Sequence, residues 1–392
     1  MSSIKQGYKQ TKVGIIPEDW EVVKLSSLSE KISDGIHTTP VYTDNTDFYF
    51  INGNNLVKNS IQVSEITKTV SEDEYRKHRI DLDSKTILMS INGTIGNLAI
   101  YNGEKIILGK SACYMILKNK SSLRFVYSLL QSRNTQKSFE AELTGSTIKN
   151  LSLKTIKDTH VPCPPLKEQE KIAEILTTWD EAISKQEELI KAKEEQKKSL
   201  MQKLLSGEVR FSGFSDEWEE KKLGDIGEFK KGTAFTIAEL ISGDIPVIAG
   251  GKEPAYYHNQ HNRTGKTITV SSSGASAGFV NYFEIPIFVS DSFTIKGKSN
   301  ISDTKYFYFF LTQIQNKIFA LQSGGAQPHI YPKDLQILHI KLPSLAEQQK
   351  IAEVLSLADE EISLLKKELD ELKLQKKGLM QKLLTGEVRV KK

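Results

Sequence analysis

The chain has 392 residues, with 53 lysines and arginines against 49 aspartates and glutamates, for a formal net charge of +4. That length suggests two or three domains. The near balance of charge excludes a uniformly basic surface, so any polyanion-binding face must be local or shared with a partner. No apolar run approaches a bilayer span, and no signal-peptide core opens the chain. The two cysteines, Cys113 and Cys163, lack metal or redox spacing. A cytoplasmic setting with reduced thiols and no membrane partner is expected.

Residues 1–163 read as a mixed α/β globular domain. A Trp-Glu-x-x-Lys-Leu run, Trp20 to Leu25, stands near its start. Short β-like runs follow at 48–51, 86–91, 98–101 and 114–117, and residues 123–142 read as one helix. Residues 161–165 (VPCPP) form a stiff break, because proline lacks a backbone donor and restricts the residue before it.

Residues 164–210 read as a long helix. Ile172, Leu176, Trp179, Ile183, Ile190, Leu200 and Leu204 lie on steps of three and four, the seam of a coiled coil with charged flanks. Gln186, Lys193 and Lys197 make the middle of that seam polar, so the helix would be poor alone.

Residues 211–342 follow the plan of the first domain. Trp218 and Leu223 echo Trp20 and Leu25. Residues 270–279 (VSSSGASAGF) resemble 89–98 (MSINGTIGNL), a strand turning through glycines. Residues 306–321 read as the late helix, and 330–340 mirror 151–161.

Residues 343–392 bring the long helix back. The copies 164–210 and 343–389 align without a gap, and such internal repeats set the architecture. In the second copy Ile351, Leu355, Ala358, Ile362, Leu365, Leu369, Leu372, Leu379 and Leu383 form the seam, interrupted at Lys376. Ser344 followed by Glu347 reads as a capping-box start. Gly207 and Gly386 stand where helices stop. Each helix is expected to be about 37 residues, or about 55 Å. Pairing of the two copies within one chain is favoured over a homodimeric coiled coil. Residues 164–210 carry 9 basic and 10 acidic residues, and 343–392 carry 10 and 9. The copies therefore cancel in charge, and the excess lies in the globular parts.

Catalytic signatures are sparse. Residues 103–111 (GEKIILGKS) have one residue too many between glycines for a phosphate loop, and a strand-like run follows. His258 and His261 have no third metal ligand nearby. No nucleophile elbow and no dinucleotide fingerprint occurs. No catalytic residue, cofactor site or metal site is therefore assigned.

Polar loops able to meet nucleic acid are present instead. Asn and Gln pair with adenine, Arg and Lys with guanine, and all of them hold phosphates. In the first domain the candidates are Asp34, His37, Thr38, Thr39, Asn52, Asn54, Asn55, Lys58, Arg76, Lys77, Arg79 and Asn92. In the second they are Lys230, Lys231, Thr233, Lys252, Tyr256, Tyr257, His258, Asn259, Gln260, Arg263, Ser272 and Ser273.

Residues 164–173 (PPLKEQEKIA), 200–210 (LMQKLLSGEVR), their second copies and the Trp-Glu-x-x-Lys-Leu openings carry a family resemblance over nearly the whole chain. It resembles the specificity (S) subunits of type I restriction-modification enzymes, and residues 34–40 look like a segment common in their target-recognition domains. The resemblance implies two α/β target-recognition domains held apart by two long antiparallel coiled-coil helices in a pseudo-twofold internal repeat. It implies a bipartite double-stranded DNA target with one half read by each domain. It further implies that the helices dock two methyltransferase (M) subunits, to which restriction (R) subunits add. S-adenosylmethionine, ATP and Mg²⁺ would belong to those partners, and the specificity chain would have no active site. A stand-alone methyltransferase or nuclease, and a coiled-coil scaffold without sequence readout, are the competing readings.

Overall fold

A computed structural model describes residues 4–57, 59–145 and 149–390. Two compact units emerge: residues 1–186 with 368–392, and residues 187–367. Each long helix contributes to both units.

The first unit is built on a four-stranded antiparallel sheet in the order Ser29–Asp34, Ala112–Leu117, Thr86–Ser90, Leu98–Ile100. The central strand Thr86–Ser90 is buried on both faces, which explains its unbroken apolar run. Side chains alternate across a strand. Ile87 and Met89 therefore join the core under the helix Leu123–Gln131, with Phe125, Val126 and Leu129. Leu88 turns to the other face, against Ile51, Ile106 and Leu108. Those last residues come from a parallel strand pair, Tyr49–Ile51 with Ile106–Leu108.

The helix expected over 123–142 is broken. Ser132 adopts φ −61°, ψ 145°, ends Leu123–Gln131, and caps Arg133–Ala141 by accepting from the Thr135 amide at 3.3 Å. A serine that satisfies an orphan donor at the start of a new helix offsets the loss of the straight continuation.

The second unit repeats this order with Gly227–Lys231, Ser292–Gly297, Thr267–Ser271 and Val280–Phe283. Its parallel pair joins Val247 and Ile248 to Phe288 and Val289. The helix expected over 306–321 is also split, into Thr304–Gln313 and Gln315–Phe319.

The long helices run Leu166–Ser206 and Leu345–Thr385, 41 residues each, or about 61 Å. They are four residues longer than expected, because they start immediately after the proline breaks. They end at Gly207 and Gly386, with φ of 76° and 72°. The seam residues are buried or half-buried throughout, including Lys193, Lys197 and Lys376. Within the first unit the helices run antiparallel, with Gln186 Nε2 donating to Glu368 at 3.1 Å and Lys376 paired to Asp180. Within the second, Lys193 meets Glu361 at 2.6 Å, Lys366 meets Glu194 at 2.7 Å, and Lys197 pairs with Asp359. The polar seam positions thus find partners on the other copy.

The ends of the copies interlock. Arg389 binds the buried Glu168 through Nε at 2.7 Å and Nη2 at 2.9 Å, and also forks onto Asp19. Trp20 Nε1 donates to the same Glu168 at 3.1 Å. In the second unit Arg210 and Trp218 treat Glu347 alike, at 2.9, 2.7 and 3.2 Å. This revises the capping box. The Glu347 amide does reach Ser344 Oγ at 3.4 Å, but its carboxylate serves Arg210 and Trp218. A forked, charge-assisted pair outcompetes a single bond back to a helix start.

Candidate nucleic-acid interface

In the first unit the strands Ser29–Asp34, Tyr49–Ile51 and Thr86–Ser90 end at one edge. The segment Gly109 to Ser111, which enters Ala112–Leu117, lies at the same edge. Their loops are knit together. Asn52 Oδ1 accepts from Ser111 Oγ at 2.8 Å, and Ser111 Oγ accepts from the Gly53 amide at 2.9 Å. Asn92 Nδ2 donates to the Lys110 carbonyl at 3.3 Å. Asn150 bridges the backbone of both Asn92 and Thr144. The loop after Thr86–Ser90 turns at Gly93, φ 72°, a conformation that suits glycine. Asp34 holds His37 at 2.8 Å, and Thr38 and Thr39 are exposed beyond it.

The second unit builds the same edge from other side chains. Gly274 turns at φ 80°. The Ser272 amide reaches the Asp291 carbonyl at 3.3 Å, and Ile330 N donates to Ser272 O at 3.0 Å. Ser273 Oγ donates to Asp291 Oδ2. His329 bridges Ser273 and Ser323, as Asn150 bridges Asn92 and Thr144. Its ring lies nearly parallel to that of Tyr331, 11° apart with centroids at 6.3 Å. Lys252 stands nearby, its carbonyl taken by Asn281 Nδ2 at 2.7 Å and its Nζ 5.3 Å from the Phe279 ring. The Thr233 amide donates to Val289 O at 2.9 Å.

The sequence candidates therefore divide. Asp34, Asn52, Asn54, Asn55, Asn92, Thr233, Lys252, Ser272 and Ser273 lie on the loops of these edges. Arg76, Lys77 and Arg79 do not. They belong to or follow the helix Glu72–His78, whose Tyr75 packs on Phe48 at the opposite end of Tyr49–Ile51. Each is already paired, with Glu72 at 2.7 Å, Glu74 at 3.9 Å and Asp81 at 3.5 Å. Lys58 lies outside the described residues.

Lys230 and Arg263 line a separate recess of about 410 Å³ with His261, Thr294 and Lys296. Arg263 is spent on its own unit, donating to Lys231 O at 2.7 Å, Asn262 O at 2.8 Å and Thr294 Oγ1 at 3.1 Å. Partial burial lowers the pKa of its guanidinium. Lys231, Tyr256 and Tyr257 are exposed, and Asn259 and Gln260 follow the strand Tyr256–His258 at its far end.

His258 is a correction. It is 4% exposed, packed between Phe235 and Phe288, with Nδ1 held at the Ile241 backbone. Those two rings and the Ile241 backbone enclose its imidazole, so it is no surface contact.

Lys110, Asn150, Asp291, His329 and Tyr331 are absent from the sequence candidates. The signal that could have found them is the alignment of the two domains, which sets Asn150 against His329 beside the shared glycine turns. Among the described residues no cluster of three or more His, Cys, Asp or Glu could hold a metal, and no helix is long and apolar enough to cross a membrane.

The family description "type I restriction modification DNA specificity domain" matches residues 17–194 and 215–374. The chain belongs to this family. Each matched segment contains one of the two loop edges. The specificity chain is 28% identical to a protein described as a putative type I restriction enzyme MjaX specificity subunit from Methanocaldococcus jannaschii, over 99% of this chain and 98% of that one. It is 25% identical to the type I restriction enzyme MjaVIII specificity subunit of the same organism, over 99% and 97%. Its fold is similar to the crystal structure of the type I restriction-modification S subunit from M. genitalium. That similarity has a TM-score of 0.63 at 24% identity and covers 93% of this chain and 96% of that one. Two mixed α/β domains with two long helices are thus the architecture of a type I specificity protein, and sequence-specific DNA recognition is its role.

Proposed function

We propose that this chain directs a type I restriction-modification complex to a bipartite double-stranded DNA target, one half read by residues 1–163 and the other by 211–342. The observation that carries this reading is the loop edge built twice. Sheet order, glycine turns and bridging backbone recur in both units, while the exposed side chains differ. A frame that is kept while its surface groups change suits one docking geometry applied to two different sequences.

The helices Leu166–Ser206 and Leu345–Thr385 then hold two methyltransferase subunits. Their reciprocal ion pairs offer two similar faces to two identical partners, and restriction subunits join in the full complex. The chain acts in the cytoplasm and supplies no catalytic group or cofactor of its own. Methyl transfer from S-adenosylmethionine, and the ATP- and Mg²⁺-dependent steps, belong to the partners.

The test exchanges residues 1–163 for the corresponding domain of a relative with a different target. Methylation mapping in cells with the methyltransferase subunit should then show one half-site changed and the other kept. An unchanged pair of half-sites would refute the assignment of one domain to each half.

A further inference from the structure

The two loop edges differ in charge at one matching place. The short segment that joins the parallel strand pair to the antiparallel sheet carries Lys110 in the first unit and Asp291 in the second. Both side chains are exposed. Around them the frame is the same. Gly53 and Gly250 each press the neighbouring loop against this segment, and the bridging backbone of Asn150 and His329 closes the other side. A cation thus stands where its counterpart unit has an anion.

Local bonds fix the backbone at the first place and the side chain at the second. Asn92 Nδ2 donates to the Lys110 carbonyl at 3.3 Å, which ties this segment to the loop after Thr86–Ser90, and the Lys110 side chain is exposed. Ser273 Oγ holds Oδ2 of Asp291, which orients the carboxylate and leaves Oδ1 to accept. The ring pair of His329 and Tyr331 forms a flat aromatic shelf on the same edge. In the major groove a lysine satisfies guanine O6 and N7, whereas a carboxylate accepts from the cytosine amino group and is repelled by guanine's acceptors.

We infer that Asp291, positioned by Ser273, reads a base amino group, cytosine N4 in the first instance, in the half-site of the second unit, and that Lys110 reads a guanine in the half-site of the first. This rests on the DNA-reading role proposed above and adds to it the reading residues and the bases they select. Lys110 lies in the 103–111 run whose glycine spacing does not fit a phosphate loop, and neither Asp291 nor Ser273 is a basic-loop residue of the kind that sequence motifs single out. The residues that are, Arg76, Lys77 and Arg79, are ion-paired away from the edge.

The experiment uses the full chain assembled with its methyltransferase subunits. Binding is measured to duplexes in which each half-site position is varied in turn, alongside methylation maps. Asp291→Asn keeps the size and the Ser273 contact but adds a donor. It should reduce discrimination about 5- to 150-fold, equivalent to about 1–3 kcal/mol, at one position of the second half-site, with the first untouched. Lys110→Ala should do the same at one position of the first half-site only. Asp291→Lys is the second probe, and it should move the preference at that position from cytosine to guanine. Unchanged preferences in all three variants would overturn the inference. So would equal weakening on every duplex, the mark of a phosphate contact. If the wild-type complex itself bound all duplexes alike, the DNA-reading role would fall and this inference with it. Intact wild-type specificity with unaltered variants would remove only the assignment of these residues.

Discussion

Gly53 and Gly250 give a direct way to disturb one loop edge without replacing any of its exposed side chains. A Cβ on Gly250 would lie 2.8 Å from the Ser273 carbonyl oxygen and 3.1 Å from Asp291 Oδ2. Contacts to backbone that close cannot be relieved by a rotamer change, so either the 249–253 loop or the loop after Thr267–Ser271 must move. Overpacking of this kind costs about 1–3 kcal/mol. Gly250→Ala should therefore lower the melting temperature of the second unit by several degrees and weaken readout of its half-site. A Cβ on Gly53 would meet Ser90 Cβ at 2.7 Å and the Ser111 carbonyl oxygen at 2.9 Å. Gly53→Ala should produce the mirror result, with the first half-site degraded and the second kept. Neither glycine has a positive φ, so the effect would be steric and not a backbone penalty. Thermal melts with methylation mapping of the two variants provide the assay. Wild-type stability and specificity in both would refute the argument that these loops are held at contact distance. Loss of the wrong half-site would refute the assignment of edges to half-sites.

Other substitutions separate packing from surface roles. Trp20→Phe removes the indole donor to buried Glu168, so urea unfolding should show a loss of about 1.5–3 kcal/mol; a change below about 0.5 kcal/mol would show that the bond is dispensable. Arg263→Ala should lower the second unit's melting temperature, because three donors that hold Lys231, Asn262 and Thr294 disappear. Tyr257→Ala, on an exposed ring, should not, and equal melting of the two variants would contradict that contrast. Burial pushes the Cys113 thiol up to about 12, so at pH 8 it should resist iodoacetamide until the chain is unfolded. The same shift contributes stability that is fully present below the unfolded thiol's pKa of about 8.5 and is lost as pH rises toward the folded value. Rapid labelling of Cys113 in the native protein would show that its site is open.

The helical repeat was legible in the sequence because a coiled-coil seam is a local periodicity. Residues three and four apart meet whatever the rest of the chain does. Ile172 to Leu204 and Ile351 to Leu383 could therefore be read directly, and so could the glycine stops. The duplicated plan of the globular parts was legible through Trp20 and Trp218 and the two glycine turns.

Tertiary structure alone decided where those parts converge. Asn52 meets Ser111 across 59 positions of sequence, and Glu168 meets Arg389 across 221. Such pairs depend on sheet order and helix pairing, which no short window contains. For that reason Glu347 reads as a capping residue and proves to be the partner of a distant arginine and tryptophan. His258 and Arg263 read as loop groups for DNA, but one is packed in the core and the other holds its own unit together. Asp291 and His329 show the reverse. Each is an ordinary polar residue in isolation, and only the closing of four loops on one edge sets them beside Ser273, because hydrogen-bonding partners are assigned in space and not along the chain.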